Sequence, residues 1–362
     1  MRNSRAEPAS SGKEVAGMKI TIIGAGAIGG TTGAYLTQAG YDVTLVDNVL
    51  EHVRTMNDHG LLVTGCRGDN LFKVKAITPD EMKAPLEMVI LAVKAHFTEA
   101  ALAPAVPLLA RDGFVVSMQN GLNEEIIAGM VGPERTVGCF IQFGADYIEP
   151  GHVQLAYNFP IWVGEIDGKI RDRTRRVAQI LGHVMETVVT DNLWGYIWAK
   201  MCLASLYFVG ALTDKSLTDL FAIEELRPVL AAIVKETWSV AHALGVKVEK
   251  FPGFDPNLFI VDSPDQLGPA YRQFERKPRR EGEPAPKVYK PYTGIQRDII
   301  VRKRKTEVDR QPGAVVEKGR VTGVPTPLNK RVVEMIHEIE DGKRKLGVEN
   351  IMELAASALP KG

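Results

Sequence analysis

The 362-residue chain carries 44 basic and 44 acidic side chains, so no net field draws it to nucleic acid or to an anionic membrane. No uninterrupted apolar run reaches the roughly 20 residues that a membrane-crossing helix needs, and Cys66, Cys139 and Cys202 show no metal-ligand spacing. An odd number of cysteines suits reduced thiols, and the length exceeds what one core usually serves, so a cytoplasmic protein of two domains and no metal is expected.

Taken in chain order, residues 1–17 are polar and small, lack the apolar core of a signal peptide, and are expected to form a disordered tail, with Met18 a second candidate start. Lys19 to Ile23 alternates and is rich in β-branched side chains, which predicts a strand. It ends in Gly24-Ala25-Gly26-Ala27-Ile28-Gly29, and a helix-compatible segment, Thr31 to Gln38, follows directly. In such a cofactor-binding turn the first glycine permits the tight bend. The second lets backbone approach a pyrophosphate, and the third brings helix and strand together. The helix then faces the anion with free N–H groups and its positive dipole end. A second strand, Asp42 to Val46, ends at Asp47, 23 residues beyond Gly24 and close to the spacing of a ribose-binding acid. The alternative role for that carboxylate is a cap on the helix that follows.

Leu86 to Val93 is an apolar run of strand length, as in a strand buried on both faces, and Gly113 to Met118 is another. Ligands in parallel sheets bind beyond the carboxyl ends of the strands, where Lys94 and Asn120 stand. His152 to Gly164 holds two short strands, and Lys169 to Met185 reads as an amphipathic helix. Residues 18–190 are therefore expected to form an α/β, doubly wound Rossmann dinucleotide-binding domain.

From Asp191 onward helical patterns dominate, which predicts an all-α domain over 191–362. A helix capped by Asp191 runs through Trp194, Trp198, Met201 and Leu206, and others span Ala222 to Leu244, Ile295 to Lys318 and Asn329 to Glu340. Between them Phe251 to Pro291 is rich in proline and charge and is expected to be a lid or a loose insertion. Its basic cluster, Arg276-Lys277-Pro278-Arg279-Arg280, is either solvated or a contact for substrate or partner. Arg297, Arg304 and Glu307 are 7 and 3 residues apart and would share one face of the third predicted helix. An arginine fork there can hold a substrate carboxylate; otherwise the face is solvated, with local ion pairs.

A dinucleotide fold joined to a helical domain suggests hydride transfer at a small carbon centre, and reducing a ketone needs a proton donor near its oxygen. Trp198-Ala199-Lys200 and Lys305-Thr306-Glu307-Val308-Asp309 both offer a lysine. With these, seven motifs in series resemble the ketopantoate reductase family from about Met18 to Gly347. They are the glycine turn, Val93-Lys94-Ala95, Gln119-Asn120-Gly121, Pro150-Gly151-His152-Val153, Trp198-Ala199-Lys200, Thr306-Glu307-Val308-Asp309 and Val324-Pro325-Thr326-Pro327. The resemblance implies a Rossmann domain, a helical domain and a cleft between them. It also implies that Lys200 is the general acid toward the ketone, with Glu307 its acidic partner. Lys94, Asn120 and Ala145 would line the nicotinamide and ribose side, Asn120 also reaching substrate.

Two positions depart from the family pattern. Asparagines usually stand four and eight residues after the catalytic lysine, with a third further along, whereas this chain has Ala204, Phe208 and approximately Thr218. Each lost hydrogen bond costs on the order of 1 kcal/mol, so a substrate other than ketopantoate is expected, with Arg297 and Arg304 as substitute carboxylate anchors. Relatives that use NADPH commonly carry arginine where Asp47 stands. A carboxylate accepts from free ribose hydroxyls and repels a phosphate, so NAD(H) is expected first and NADP(H) second, with Arg54 the cation available to a phosphate.

The expected activity is NAD(P)H-dependent reduction of a small 2-oxo acid or related ketone, and a homodimer is compatible with it. One alternative is a dehydrogenase of the same fold acting on a bulkier ketone or an imine, as opine dehydrogenases do, favoured if Phe208 faces the cleft. Another is a non-catalytic dinucleotide sensor, which would need neither Lys200 nor Glu307.

Overall fold

The computed structural model describes residues 17–275 and 292–358; the predicted tail before Gly17 and the basic cluster Arg276 to Arg280 lie outside the described residues. After Leu193 the chain passes from one compact unit to a second.

The first unit is built on β1 (Lys19–Ile23), β2 (Asp42–Val46), β3 (Leu61–Gly65), β4 (Asn70–Phe72), β5 (Ala76–Ile77), β6 (Leu86–Leu91), β7 (Leu109–Ser117), β8 (Thr136–Ile141), β9 (Gly144–Glu149), β10 (His152–Tyr157), β11 (Ile161–Glu165) and β12 (Thr187–Val189). Its main sheet has the order β12-β11-β8-β7-β6-β1-β2-β5. Neighbours run parallel except β8 and β11. The winding reverses at β1, which has β2 on one side and β6 on the other, and that is where an open α/β sheet receives its ligand. Ile20, Ile22, Met88 and Ile90 are buried in these central strands, as expected when both faces are covered. The helices of this unit are α1 (Ala27–Gln38), α2 (Leu50–His59), α3 (Thr98–Leu102), α4 (Asn123–Val131) and α5 (Asp172–Leu181).

Two features differ from the sequence reading. A second sheet, β4-β3-β10-β9, lies against α1, so of the two strands read in His152 to Gly164 only β11 joins the main sheet. Pro150-Gly151 makes the turn between β9 and β10, with Gly151 at a φ of +73°, and pairs them antiparallel. Helix α5 is shorter than the predicted 169–185: it stops at Gly182, and the chain re-enters the sheet as β12 beside β11.

The second unit is helical, with α6 (Leu193–Gly210) beginning at the boundary, then α7 (Leu217–Ala222), α8 (Arg227–Ala243), α9 (Gly268–Arg272), α10 (Gly294–Ile300), α11 (Pro312–Thr322), α12 (Pro327–Glu340) and α13 (Glu349–Ala358). Helix α6 buries Trp198, Ala199, Met201, Cys202, Leu206 and Phe208. The helix predicted over 222–244 is interrupted only near its start: Ala222 ends α7, a 3-10 turn (Glu224–Leu226) follows, and α8 carries the rest. Ser216 caps α7 by accepting from Asp219 N–H, and α8 starts afresh with Pro228 in its first turn.

The predicted helix from Ile295 to Lys318 is also broken. Helix α10 ends at Ile300, Lys303 takes a φ of +49°, and Arg304 N–H donates to the Asp298 carbonyl. A 3-10 turn (Val308–Arg310) follows, and Pro312, which lacks an N–H, opens α11. Arg297, Arg304 and Glu307 therefore do not share a helical face: one lies on α10, the next in the connection, and Glu307 just before the 3-10 turn. The described part of the 251–291 segment is packed rather than loose. Phe251, Phe254 and Phe259 are buried, and Phe274 stacks on Phe221 of α7 at 4.2 Å.

Candidate dinucleotide and proton-donor sites

In the first unit the glycine turn sits at the reversal point of the sheet. Gly24 takes a φ of +97°, and a Cβ on Gly29 would stand 1.9 Å from the Gly24 carbonyl oxygen, so the turn closes only with these glycines. A Cβ on Gly26 meets nothing within 4 Å. That open side, at the N-terminus of α1, is what a pyrophosphate requires, and the turn fits a dinucleotide.

Residues of the second β–α unit hold the turn in place. Asp47 accepts from Ala25 N–H at 2.9 Å through one oxygen and from Val49 N–H at 3.0 Å through the other. The second bond tethers the start of α2, so the capping role set against ribose binding exists, and each oxygen keeps a lone pair for another donor. Around Asp47 the surroundings are acidic. Burial, and then the carboxylates of Asp47, Glu51 and Glu149, push the Tyr147 hydroxyl above its usual range. Arg54 lies exposed on α2.

Lys94 and Asn120 stand at the carboxyl ends of β6 and β7. A buried relay joins the two loops. Gln119 donates to the Val93 carbonyl at 3.0 Å and to Thr98 Oγ1 at 2.9 Å; Thr98 donates to Asn123 Oδ1 at 2.9 Å, and Asn123 donates to the Asn120 carbonyl at 2.6 Å. Asn120 Oδ1 is buried with no hydrogen-bond partner among the described residues, which leaves an acceptor for a ligand donor. Ala145 lies in β9 opposite Leu155, partly buried against the core around α1.

The second unit carries the proposed proton donor. Lys200 lies on α6, half-buried, and Glu307 is buried at the entry to the 3-10 turn. The strand of chain bearing Glu307 is fixed on both sides. Arg304 is held by Asp298 through Nε at 2.9 Å, and Thr306 donates N–H and hydroxyl to Glu340 at 2.7 Å each. Arg304, joined with Arg302 on one buried carboxylate, thus forms the local ion pair rather than an open anchor. Arg297 lies on α10, half-buried. Ala204 is buried and Phe208 is wholly so.

A polar cluster that the sequence reading missed ties three helices of this unit together. Ser205 bonds Thr237 at 2.7 Å and donates to Asn329 Oδ1 at 3.1 Å. Glu236 accepts from the N–H groups of Leu328 and Asn329 at 3.1 and 3.0 Å, and from the Asn329 amide at 3.1 Å. Burial pushes the Glu236 carboxyl up to about 7, against the N–H bonds, which lower it. The only sequence signal was Pro327, marking the start of α12. Among the described residues no cluster of side chains could hold a metal ion, and no helix is long and apolar enough to cross a membrane.

Comparison with known proteins covers both units. Residues 20–168 match the family model described as Ketopantoate reductase PanE/ApbA, and residues 192–340 match the model of its C-terminal part. A 2-dehydropantoate 2-reductase of Pyrococcus horikoshii is 29% identical over 321 residues, covering 86% of this chain and 94% of that protein. Another, of Mesorhizobium japonicum, is 27% identical over 347 residues, covering 89% and 98%. Among solved structures, D-mandelate dehydrogenase in ternary complex with NADH and anilino(oxo)acetate superposes with a TM-score of 0.76 at 25% identity, covering 90% of this chain and 99% of that one. A PanE/ApbA family ketopantoate reductase from Ralstonia eutropha gives 0.73 at 25% identity, with the same coverage.

Proposed function

The chain belongs to the ketopantoate reductase PanE/ApbA family and is an NAD(P)-dependent oxidoreductase, and from that premise we propose that it reduces a 2-oxo acid with NADH in preference to NADPH. A bound nicotinamide would supply the hydride for the carbonyl carbon. The N–H groups from Gly26 to Gly29 would hold its pyrophosphate, and Asp47 would accept from the ribose hydroxyls. Lys200 Nζ gives its proton to the carbonyl oxygen as negative charge develops there. Glu307 keeps that ammonium charged and in place. Asn120, with an acceptor to spare, orients whichever donor reaches it from cofactor or substrate.

The observation that carries this reading is the glycine turn with its open side at Gly26 and Asp47 bonded beneath it. Incubation with NADH or NADPH and a panel of 2-oxo acids, following loss of reduced nicotinamide absorbance, tests it. Loss with no 2-oxo acid would sink it.

The substrate we favour carries an apolar group beside its 2-oxo acid. Ala204 and Phe208 stand where the family usually has asparagines for ketopantoate, and a structural neighbour of the same fold holds anilino(oxo)acetate, an oxamate that carries an aromatic ring beside its carbonyl and carboxylate. Arg297, on α10, is the arginine we assign to the substrate carboxylate, Arg304 being paired with Asp298. The presence of both Lys200 and Glu307 speaks against a bare dinucleotide sensor, and no feature of the site favours an imine.

A further inference from the structure

Pro150-Gly151-His152-Val153 is a motif that the proposed chemistry leaves without a task, and one of its polar partners is a buried histidine. Gly151 N–H donates to His52 Nδ1 at 2.9 Å, and His52 Nε2 lies 2.9 Å from the Ala25 carbonyl oxygen. The ring is almost wholly buried, and Tyr147 stands edge-on to it at 5.1 Å. A peptide N–H can only donate, so Nδ1 must be an acceptor. The proton of the neutral ring is then on Nε2, where it is given to Ala25.

We propose that His52 is a positioning residue for dinucleotide binding: the Gly151 turn fixes its tautomer, and the ring in turn fixes the peptide between Ala25 and Gly26. This rests on the functional reading above. The peptide is planar and trans, so its carbonyl and N–H point in opposite directions. Holding the Ala25 carbonyl toward α2 aims the Gly26 N–H away from it, toward the open side where the pyrophosphate is placed. The Ala25 N–H is already held by Asp47, so both polar groups of Ala25 are clamped by the second β–α unit. Gly30 seals the arrangement, since a Cβ there would come within 2.6 Å of the same carbonyl. Two motifs far apart in the chain, the glycine turn and the Gly151 turn, thereby act on one anion site through a single ring.

Direct titration of NADH by fluorescence tests this on the full chain. His52→Phe keeps the bulk and loses both bonds; it should weaken NADH by about tenfold or more, the 1.4 kcal/mol equivalent, while kcat at saturating NADH and KM for the 2-oxo acid move less than about threefold. His52→Gln, whose amide can both donate and accept, should recover most of the affinity. Unchanged NADH affinity in His52→Phe, or an equal fall in affinity and kcat that His52→Gln does not rescue, would overturn the proposal. The tautomer is read independently of any variant, from nitrogen chemical shifts of labelled histidine in the parent chain. An Nδ1-protonated ring would also overturn it. A parent chain that binds neither NADH nor NADPH would sink the functional reading itself, and this inference with it.

Discussion

Replacing Asp47 with arginine is expected to erase or reverse the cofactor preference while weakening both cofactors. Its two oxygens each spend one lone pair on backbone, at 2.9 and 3.0 Å, and an ionised carboxylate offers about four acceptor positions. About two remain for the 2′- and 3′-hydroxyls of an NADH ribose. A 2′-phosphate in the same place meets like charge. At about 6 Å and an effective dielectric of about 40, one unit charge against Asp47 costs about 1.4 kcal/mol, or tenfold, with Glu51 adding to it. The parent chain should therefore favour NADH by at least about tenfold in kcat/KM with one 2-oxo acid, and the ratio should shrink as salt screens these charges. The arginine variant gains a phosphate partner but strips Ala25 and Val49 of their acceptor, hence the general loss. Initial rates with each cofactor at fixed ionic strength decide the matter. Equal use by the parent, or an NADPH advantage, would refute the reasoning and would point to Arg54 reaching the phosphate.

Lys200→Ala should cut turnover by roughly 10²–10⁴-fold with little change in NADH affinity; turnover within a few-fold of the parent would remove Lys200 as proton donor. Ketopantoate should be reduced poorly beside a 2-oxo acid bearing an apolar substituent, and a ketopantoate kcat/KM at or above about 10⁴ M⁻¹s⁻¹ would show that polar anchors come from elsewhere, Arg297 first. Glu236 predicts a pH slope in stability. Its carboxyl is raised from 4.5 to about 7 in the folded chain, so between those values the folded state holds the extra proton, and stability falls as pH rises through them. The loss should approach about 3 kcal/mol, seen as a falling melting temperature from pH 5 to pH 8 that Glu236→Gln flattens; an unaltered slope in that variant would assign it to other groups.

The parts of this molecule legible in sequence were those set by neighbours along the chain. Lys19 to Asp47 announces strand, turn, helix and acid because each step is a local pattern, and the structure places them so. The second sheet was not legible, since β3, β4 and β9 are short and mixed in polarity, and what joins the β3–β4 pair to the β9–β10 hairpin is the pairing of β3 with β10 far along the chain. The break in the predicted 295–318 helix was announced by Pro312, but the run of helix-compatible arginine and lysine residues before it hid where α10 stops. His52 had no local signal at all. Its meaning comes from Gly151, 99 residues away. Ser205 and Asn329, 124 residues apart, are the same case in the helical unit.

Helix α1 has an implication for how the first unit assembles. It is 12 residues long and contains Gly29, Gly30 and Gly33, each roughly 1 kcal/mol worse than alanine in a helix interior. Isolated helices of this length are marginal even with good helix formers, so α1 has no independent existence. It condenses only onto strands already paired, and every residue from Gly29 to Leu36 is then buried. Amide protons of α1 should therefore exchange only when that whole unit opens.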